Sequence, residues 1–353
     1  MTSVRKEPDS PARHSWLPSW REWAGDAAAL VYIAFIATIA MVTGAFFVMF
    51  PELGALSQDI YTRPRGTWGS NPLLVAITPV LTGLVGIAVT NALPYGLFSV
   101  MLIVGASFLI IEVLHSPVAP AISAGLLPLV VDIHSWWYAP GIMLGCFLLA
   151  LLSIPWKRLM ATPGAVPAPP NSAPLTDKLE RPPSRAYWLI PLLAFVAAAT
   201  VLVELSGLRF ILFPPLVVIG FEMFGHTDVC PWANKPILLP LACFLTALGG
   251  FLFYHEFGFS PLTATLDMAF GILVLRALDL HVPPAFAVAL LPLVMNHPTL
   301  VYPFSVGLGT LLLTLWFFVY RSWMLRHLRH PIAESVPAYG SENLQNQPGS
   351  TTS

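Results

Sequence analysis

The sequence predicts an all-α, polytopic transmembrane helical bundle built from two parallel repeats with broken or re-entrant half-helices. Three observations predict it. First, 56% of the 353 residues are hydrophobic and only 10% charged, with a mean hydropathy of +0.73. A soluble protein carries about 25% charged residues, so this chain lacks the charge to cover a water-facing surface. Second, its 35 prolines are about twice the usual ~5% share, in a chain too apolar to be collagen-like or disordered. Third, short patterns recur at one offset along its length.

A span needs about 20 predominantly apolar residues to cross a ~30 Å hydrocarbon core. In chain order, residues 27–50, 73–93, 97–114 (with Glu112 near its end), 138–156, 187–203, 237–254 and 298–320 qualify. Four full spans are expected in each half. Shorter runs at 51–60, 117–131, 210–221 and 283–295 begin at or next to prolines. They read as half-helices, tolerated only where protein or a water-filled cavity covers the broken backbone. Residues 1–26 are expected to be a cytoplasmic tail without a cleavable leader. Residues 27–156 and 187–321 are the two repeats, 157–186 a Pro-rich cytoplasmic linker, and 322–353 a cytoplasmic, largely disordered tail. Twelve of the 17 Lys and Arg residues lie in the tail, the 155–187 segment and the end from Arg321. The positive-inside rule therefore puts these three segments, and both termini, on the cytoplasmic side of the cell (inner) membrane. Arg63, Arg65 and Lys235, after each half's first span, weaken that vote without reversing it.

The halves match each other. Phe50-Pro51 recurs as Phe213-Pro214, 163 residues on. Trp68, Pro72, Leu81-Thr82, Gly86, Leu127-Pro128-Leu129-Val130, Tyr138 and Gly145 recur 164 residues on, as Trp232, Pro236, Leu245-Thr246, Gly250, Leu291-Pro292-Leu293-Val294, Tyr302 and Gly309. An even number of crossings per half makes the repeats parallel, a design in which transporters place substrate between the copies at discontinuous helices.

Ionisable groups inside apolar segments are expensive and so are candidate functional groups. The first half offers Glu112 and His115, on one helix face if the helix reaches that far, followed by Pro117. They could relay protons or hold a cation, or simply sit at the water interface. The second half offers Asp267, Arg276, Asp279, His281, Pro283 and Pro284. Arg276 presents donors to an oxyanion, or is a structural ion pair with a carboxylate. Pairing His115 with His281 as matching residues needs small compensating gaps, because a gapless alignment sets Pro117 against His281. Asp132 and His134 are solvated loop ends or groups gating a pathway. His226-Thr227-Asp228-Val229-Cys230 spaces three metal-ligand types without the second pair a dedicated site uses, so no metal and no other cofactor is expected. Three scattered cysteines make no disulfide framework. A net charge of −1 gives no basic field for nucleic acid, and no nucleotide-binding loop or hydrolase motif occurs.

The stretch His281-Val282-Pro283-Pro284-Ala285 resembles the signature of the HPP family of membrane proteins, in which a His-Pro-Pro motif opens a helix of small residues; here a valine interrupts it. Phe213-Pro214-Pro215-Leu216 and Pro231-Trp232-Ala233-Asn234-Lys235-Pro236 are similar to that family's preceding helix end and loop. The resemblance implies one HPP-like unit per half, and transport of a small inorganic anion such as nitrite. The expected function is secondary transport or channel-like passage of a small solute, by a non-enzyme whose partners are lipid, that solute or ion, and a second copy of itself in a homo-oligomer. A membrane scaffold is the alternative, and an intramembrane enzyme a third.

Overall fold

The computed structural model describes residues 19–160, 188–226, 230, 232 and 235–327, with side chains to 323. The N-terminal tail to 18, the linker from 161 to 187, Thr227, Asp228 and Val229 of the His-to-Cys loop, Pro231, Ala233, Asn234 and the tail after 327 lie outside the described residues.

The first half consists of α1 (Trp20–Thr43), a 3-10 turn (Phe46–Val48), α2 (Glu52–Thr62), a short α3 (Thr67–Ser70), α4 (Pro72–Ala92), α5 (Leu97–Val113), α6 (Ala121–Val131) and α7 (Tyr138–Leu159). The second half repeats this order: α8 (Leu189–Ser206), a 3-10 turn (Arg209–Leu212), α9 (Pro214–Gly225), α10 (Leu238–Phe257), α11 (Pro261–Ala277), α12 (Pro284–Leu290) running into a 3-10 turn (Leu291–Val294), and α13 (Val301–His327). Among the described residues there is no strand.

Six helices, α1, α4, α7, α8, α10 and α13, are long and apolar enough to cross a membrane, which makes this a multi-pass membrane protein. Four such spans per half were expected. Instead α5 and α11, at 17 residues each, are about 26 Å long and sit at the lower limit for a span. The side-chain distribution fits a lipid solvent. Phe98, Leu109, Ile190, Leu273 and Val319 point outward and are exposed, whereas Thr78, Thr82, Thr246 and Thr310 are buried. The hydroxyls of Thr246 and Thr310 donate to carbonyls of their own helices three or four residues earlier, which satisfies them within the apolar bundle. Helix α1 begins at Trp20, seven residues before the apolar run, because Ser19 and Glu22 form a capping box: the Glu22 N–H donates to Ser19 Oγ, and the Ser19 N–H to Glu22 Oε2 at 2.9 Å.

The prolines open the short helices. Pro51 and Pro120 precede the first turns of α2 and α6, Pro214 opens α9, and Pro283 and Pro284 begin α12. Proline costs nothing there, since its missing N–H would have no helical partner. These four helices are the interior. Every residue of α6 and α12 is buried, as are all of α9 except Gly225 and all of α2 except Gln58 and Thr62. Thr82, halfway along α4, donates to the Ala121 carbonyl at 2.6 Å, so α6 begins beside the middle of α4. Ser123 in its first turn donates to Glu52 in the first turn of α2, which places the start of α2 at the same level. The end of α2 returns to the start of α1, with Thr62 packed against Gly25. The end of α7 is tied there by Trp156 Nε1 donating to the Tyr61 carbonyl at 2.8 Å. We call this side the α1-start face.

The halves meet through matched contacts: α1 packs on α11 and α8 on α5, α2 on α12 and α9 on α6. Local geometry recurs at the 164-residue offset. Tyr138 donates to the Ala124 carbonyl and Tyr302 to that of Val288, both at 2.6 Å. Ser99 donates to the Pro94 carbonyl and Thr263 to that of Gly258, at 2.8 and 2.7 Å. His115 and Asp279 both take left-handed backbone, at φ 48° and 50°, where α5 and α11 end.

The closest helix approaches depend on glycine. A Cβ at Gly86 would lie 2.0 Å from the Gly125 carbonyl oxygen, and one at Gly250 would lie 2.0 Å from that of Ala289. We expect Gly86→Ala and Gly250→Ala to force α4 off α6 and α10 off α12, each costing about 1–3 kcal/mol or more. Thermal unfolding in detergent reads the loss. Gly105→Ala, with nothing within 4 Å, should leave the midpoint unchanged or slightly raised.

Candidate functional site

Two carboxylates lie at the centre. Glu52, in the first turn of α2, is 1% exposed, and Asp267, midway along α11, is 0% exposed. The Ser123 hydroxyl donates to Glu52 Oε1, and Glu52 Oε2 and both oxygens of Asp267 have no hydrogen-bond partner among the described residues. Both lie within electrostatic reach of the Tyr302 hydroxyl, and Glu52 also of Tyr138. The two acids come from different halves, on helices α2 and α11 that both pack against α12. Gly54, two residues beyond Glu52, faces Phe286 and Leu290 of α12 and Met268 of α11.

The expected site residues divide between this centre and the α1-start face. Asp267 is central, and Pro283 and Pro284 are buried at the start of α12. Arg276 ion-pairs with Asp26 of α1, and its guanidinium stacks over Trp23 at 4.4 Å. This is the structural ion pair, and it joins the two halves. Asp279 is exposed and pairs with Lys235 at 2.6 Å. His281 is partly buried, with Nε2 unpartnered. Pro117 is buried, and its carbonyl accepts from Trp68 Nε1 at 2.9 Å. Glu112 and His115 are exposed.

Two expectations are corrected. Glu112 and His115 do not share a helix face, because α5 ends at Val113 and His115 turns into left-handed backbone. Nor do the two histidines correspond. The left-handed position is His115 in one half and Asp279 in the other, so the register runs without gaps and Pro117 stands opposite His281.

None of the nine residues lines the cavity of about 380 Å³ on the face opposite the α1 start. That cavity lies between the halves. Asn91, Tyr95, Asp132 and His134 come from the first, and Arg209 from the second, stacked over Tyr95 at 5.3 Å and 3.6 Å from Asp132. Arg209 there presents a guanidinium to an open space whose lining is as apolar as it is polar and includes its ion-pair partner Asp132.

Sequence reasoning missed Glu52, Asp26 and Arg209. The available signal for Glu52 was a lone carboxylate just after Phe-Pro at the head of an apolar run, the first-turn position that a helix dipole favours. Among the described residues, no three His, Cys, Asp or Glu side chains converge as a metal site would require. No protein-family model, curated protein or solved structure matches the chain.

Two outcomes follow for the α1-start face. Asp26→Asn and Arg276→Gln should each lower thermal stability, and the double variant should lose less than their sum by about 1 kcal/mol, the coupling expected of contacting partners. His281 lies in the connection between α11 and α12, where burial, and then the charge of Arg63, push its imidazole from 6.5 down to about 4. The unfolded chain therefore binds the extra proton first as pH falls. Stability is complete above 6.5 and is lost as pH drops toward 4. His281→Gln should flatten the unfolding midpoint across that window.

Proposed function

We propose that the chain is a secondary transporter, or a channel-like pathway, for a small solute, made of two parallel copies of one unit whose broken helices re-enter the middle of the membrane. The observation that carries this reading is the set of four short helices, buried along nearly their whole length and sheathed by the long ones. A scaffold has no need of helices that stop at mid-depth, where exposed backbone ends must be satisfied by protein or a hydrated path. Transporters use such breaks to bring helix termini and polar side chains to a solute. The recurrence of element order, hydrogen bonds and helix ends at one offset supports the duplication.

A small inorganic anion such as nitrite is the favoured solute. Its support is the resemblance of His281-Val282-Pro283-Pro284 to the HPP family, together with the Arg209-lined cavity between the halves. On this reading the cavity is the solute's entrance. The positive-inside rule supports a cytoplasmic side for both termini, and on that orientation the cavity opens outward.

Uptake of nitrite and nitrate into proteoliposomes tests this. Flux should exceed that of empty liposomes, and Arg209→Gln should raise the half-saturating concentration several-fold with the maximal rate less affected. No flux above empty liposomes for any small anion would favour the scaffold.

A further inference from the structure

We infer that Glu52 and Asp267 form a proton-binding pair at the centre of the molecule, and that solute movement is coupled to protons carried there. The coupling rests on the transport reading; the proton binding does not.

The two halves give the comparison. Where the first half has Glu52, the second has Pro215, aligned by Phe50-Pro51 against Phe213-Pro214 and by the Leu53 and Leu216 N–H groups bonding back to Phe50 and Phe213. Where the second half has Asp267, the first has Ile103, 164 residues earlier. Pro215 and Ile103 are both buried. The same backbone thus packs with an apolar residue at each position, and neither acid is needed to fill space. Each is nevertheless present, fully buried, with three of the four carboxylate oxygens unpartnered and no cation paired with either among the described residues. Their ionised forms would cost several kcal/mol at this depth, and a protonated acid avoids that.

A metal cation is a poorer occupant. Hard cations take about six oxygen ligands, and among the described residues no three His, Cys, Asp or Glu side chains converge here. A proton needs only the carboxylate. One O–H bond forms at each acid on the side where protons are plentiful and breaks on the other, with no change in the solute's bonds and no redox partner.

The infrared spectrum of the purified full-length chain tests proton binding directly. A carboxylic-acid C=O stretch should be present at neutral pH in choline chloride, and Glu52→Gln and Asp267→Asn should each remove part of it. Absence of that band, a band unchanged in both variants, or its loss when sodium replaces choline would overturn the inference. Coupling is read in proteoliposomes with nitrate. An imposed pH gradient, acid outside, should drive accumulation in the wild type. Each variant should lose at least tenfold of it while eluting from size exclusion in detergent as the wild type does, which shows that the variant is folded. Wild-type flux indifferent to the gradient sinks the coupling and leaves transport standing. No flux of any anion with the infrared band present sinks transport, and the coupling with it, but not the proton-binding pair.

Discussion

A backbone N–H or C=O in hydrocarbon has no water to turn to, and the rest of this structure depends on that constraint. An 11-residue helix such as α2 or α6 is about 16 Å long and covers only half of the core. Its free end must therefore lie against protein. The long helices supply that cover, and the requirement explains several features that look unrelated. Gly86 and Gly250 bring α4 and α10 against the carbonyls of α6 and α12 because the short helices must be wrapped closely. Tyr138 and Tyr302 donate to carbonyls of those same helices. Pro51, Pro120, Pro214, Pro283 and Pro284 fall where a short helix begins, where a missing N–H leaves nothing unsatisfied, whereas Pro79, Pro128 and Pro155 lie inside helices.

If the halves are two copies of one unit, as proposed, the differences between them are informative. Positions that recur are those the wrapping needs: the two glycines, the two tyrosines, and the hydroxyls of Ser99 and Thr263 that cap the turns before α5 and α11. Positions that differ are free of that demand. Glu52 against Pro215, Asp267 against Ile103, and Arg276 against Glu112 all break the pattern with charge. Charge is the most expensive thing to place in such a protein, so these are the positions where the two halves differ most in chemistry.

Much of the fold was legible because the membrane reduces it to lengths and breaks. Apolar runs of about 20 residues, and shorter ones headed by proline, each coincide with a helix. The exceptions are instructive. Helix α1 starts early because Ser19 and Glu22 form a local cap that hydropathy does not register. Helix α11 was not named as a run because Asp267 and Arg276 interrupt it; Arg276 is accommodated by Asp26, 250 residues away in sequence. The site was legible only in part. Asp267 and the prolines of α12 stand out in the sequence, whereas the meeting of Glu52 with Ser123, and of Arg209 with Tyr95 and Asp132, are contacts between segments that no local pattern links. The two histidines drew attention as a motif, yet the backbone aligns His115 with Asp279, because ending a helix in left-handed conformation is a local geometric demand that either side chain can meet.

The two faces are also unlike, and on the transport reading that difference describes a state. On the α1-start face, polar side chains are consumed pairwise: Asp26 with Arg276 and Gln58, Asp59 with Arg63, Lys235 with Asp279. On the opposite face, Arg209 is held to Asp132 only at 3.6 Å, with open space beside it. The interface is thus latched at one end and loose at the other. Asp26–Arg276 is the latch that joins α1 to α11 across the halves, and Trp23 over the guanidinium shields it from water. Its counterpart on the opposite face, the Leu97 N–H on Glu204 at 2.9 Å, is a single hydrogen bond with no cation. A rocking of one half on the other that closed the Arg209 cavity would have to strain the Asp26–Arg276 pair. The solute-accessible side would then be set by which of two polar closures is intact, with the central carboxylates lying between them.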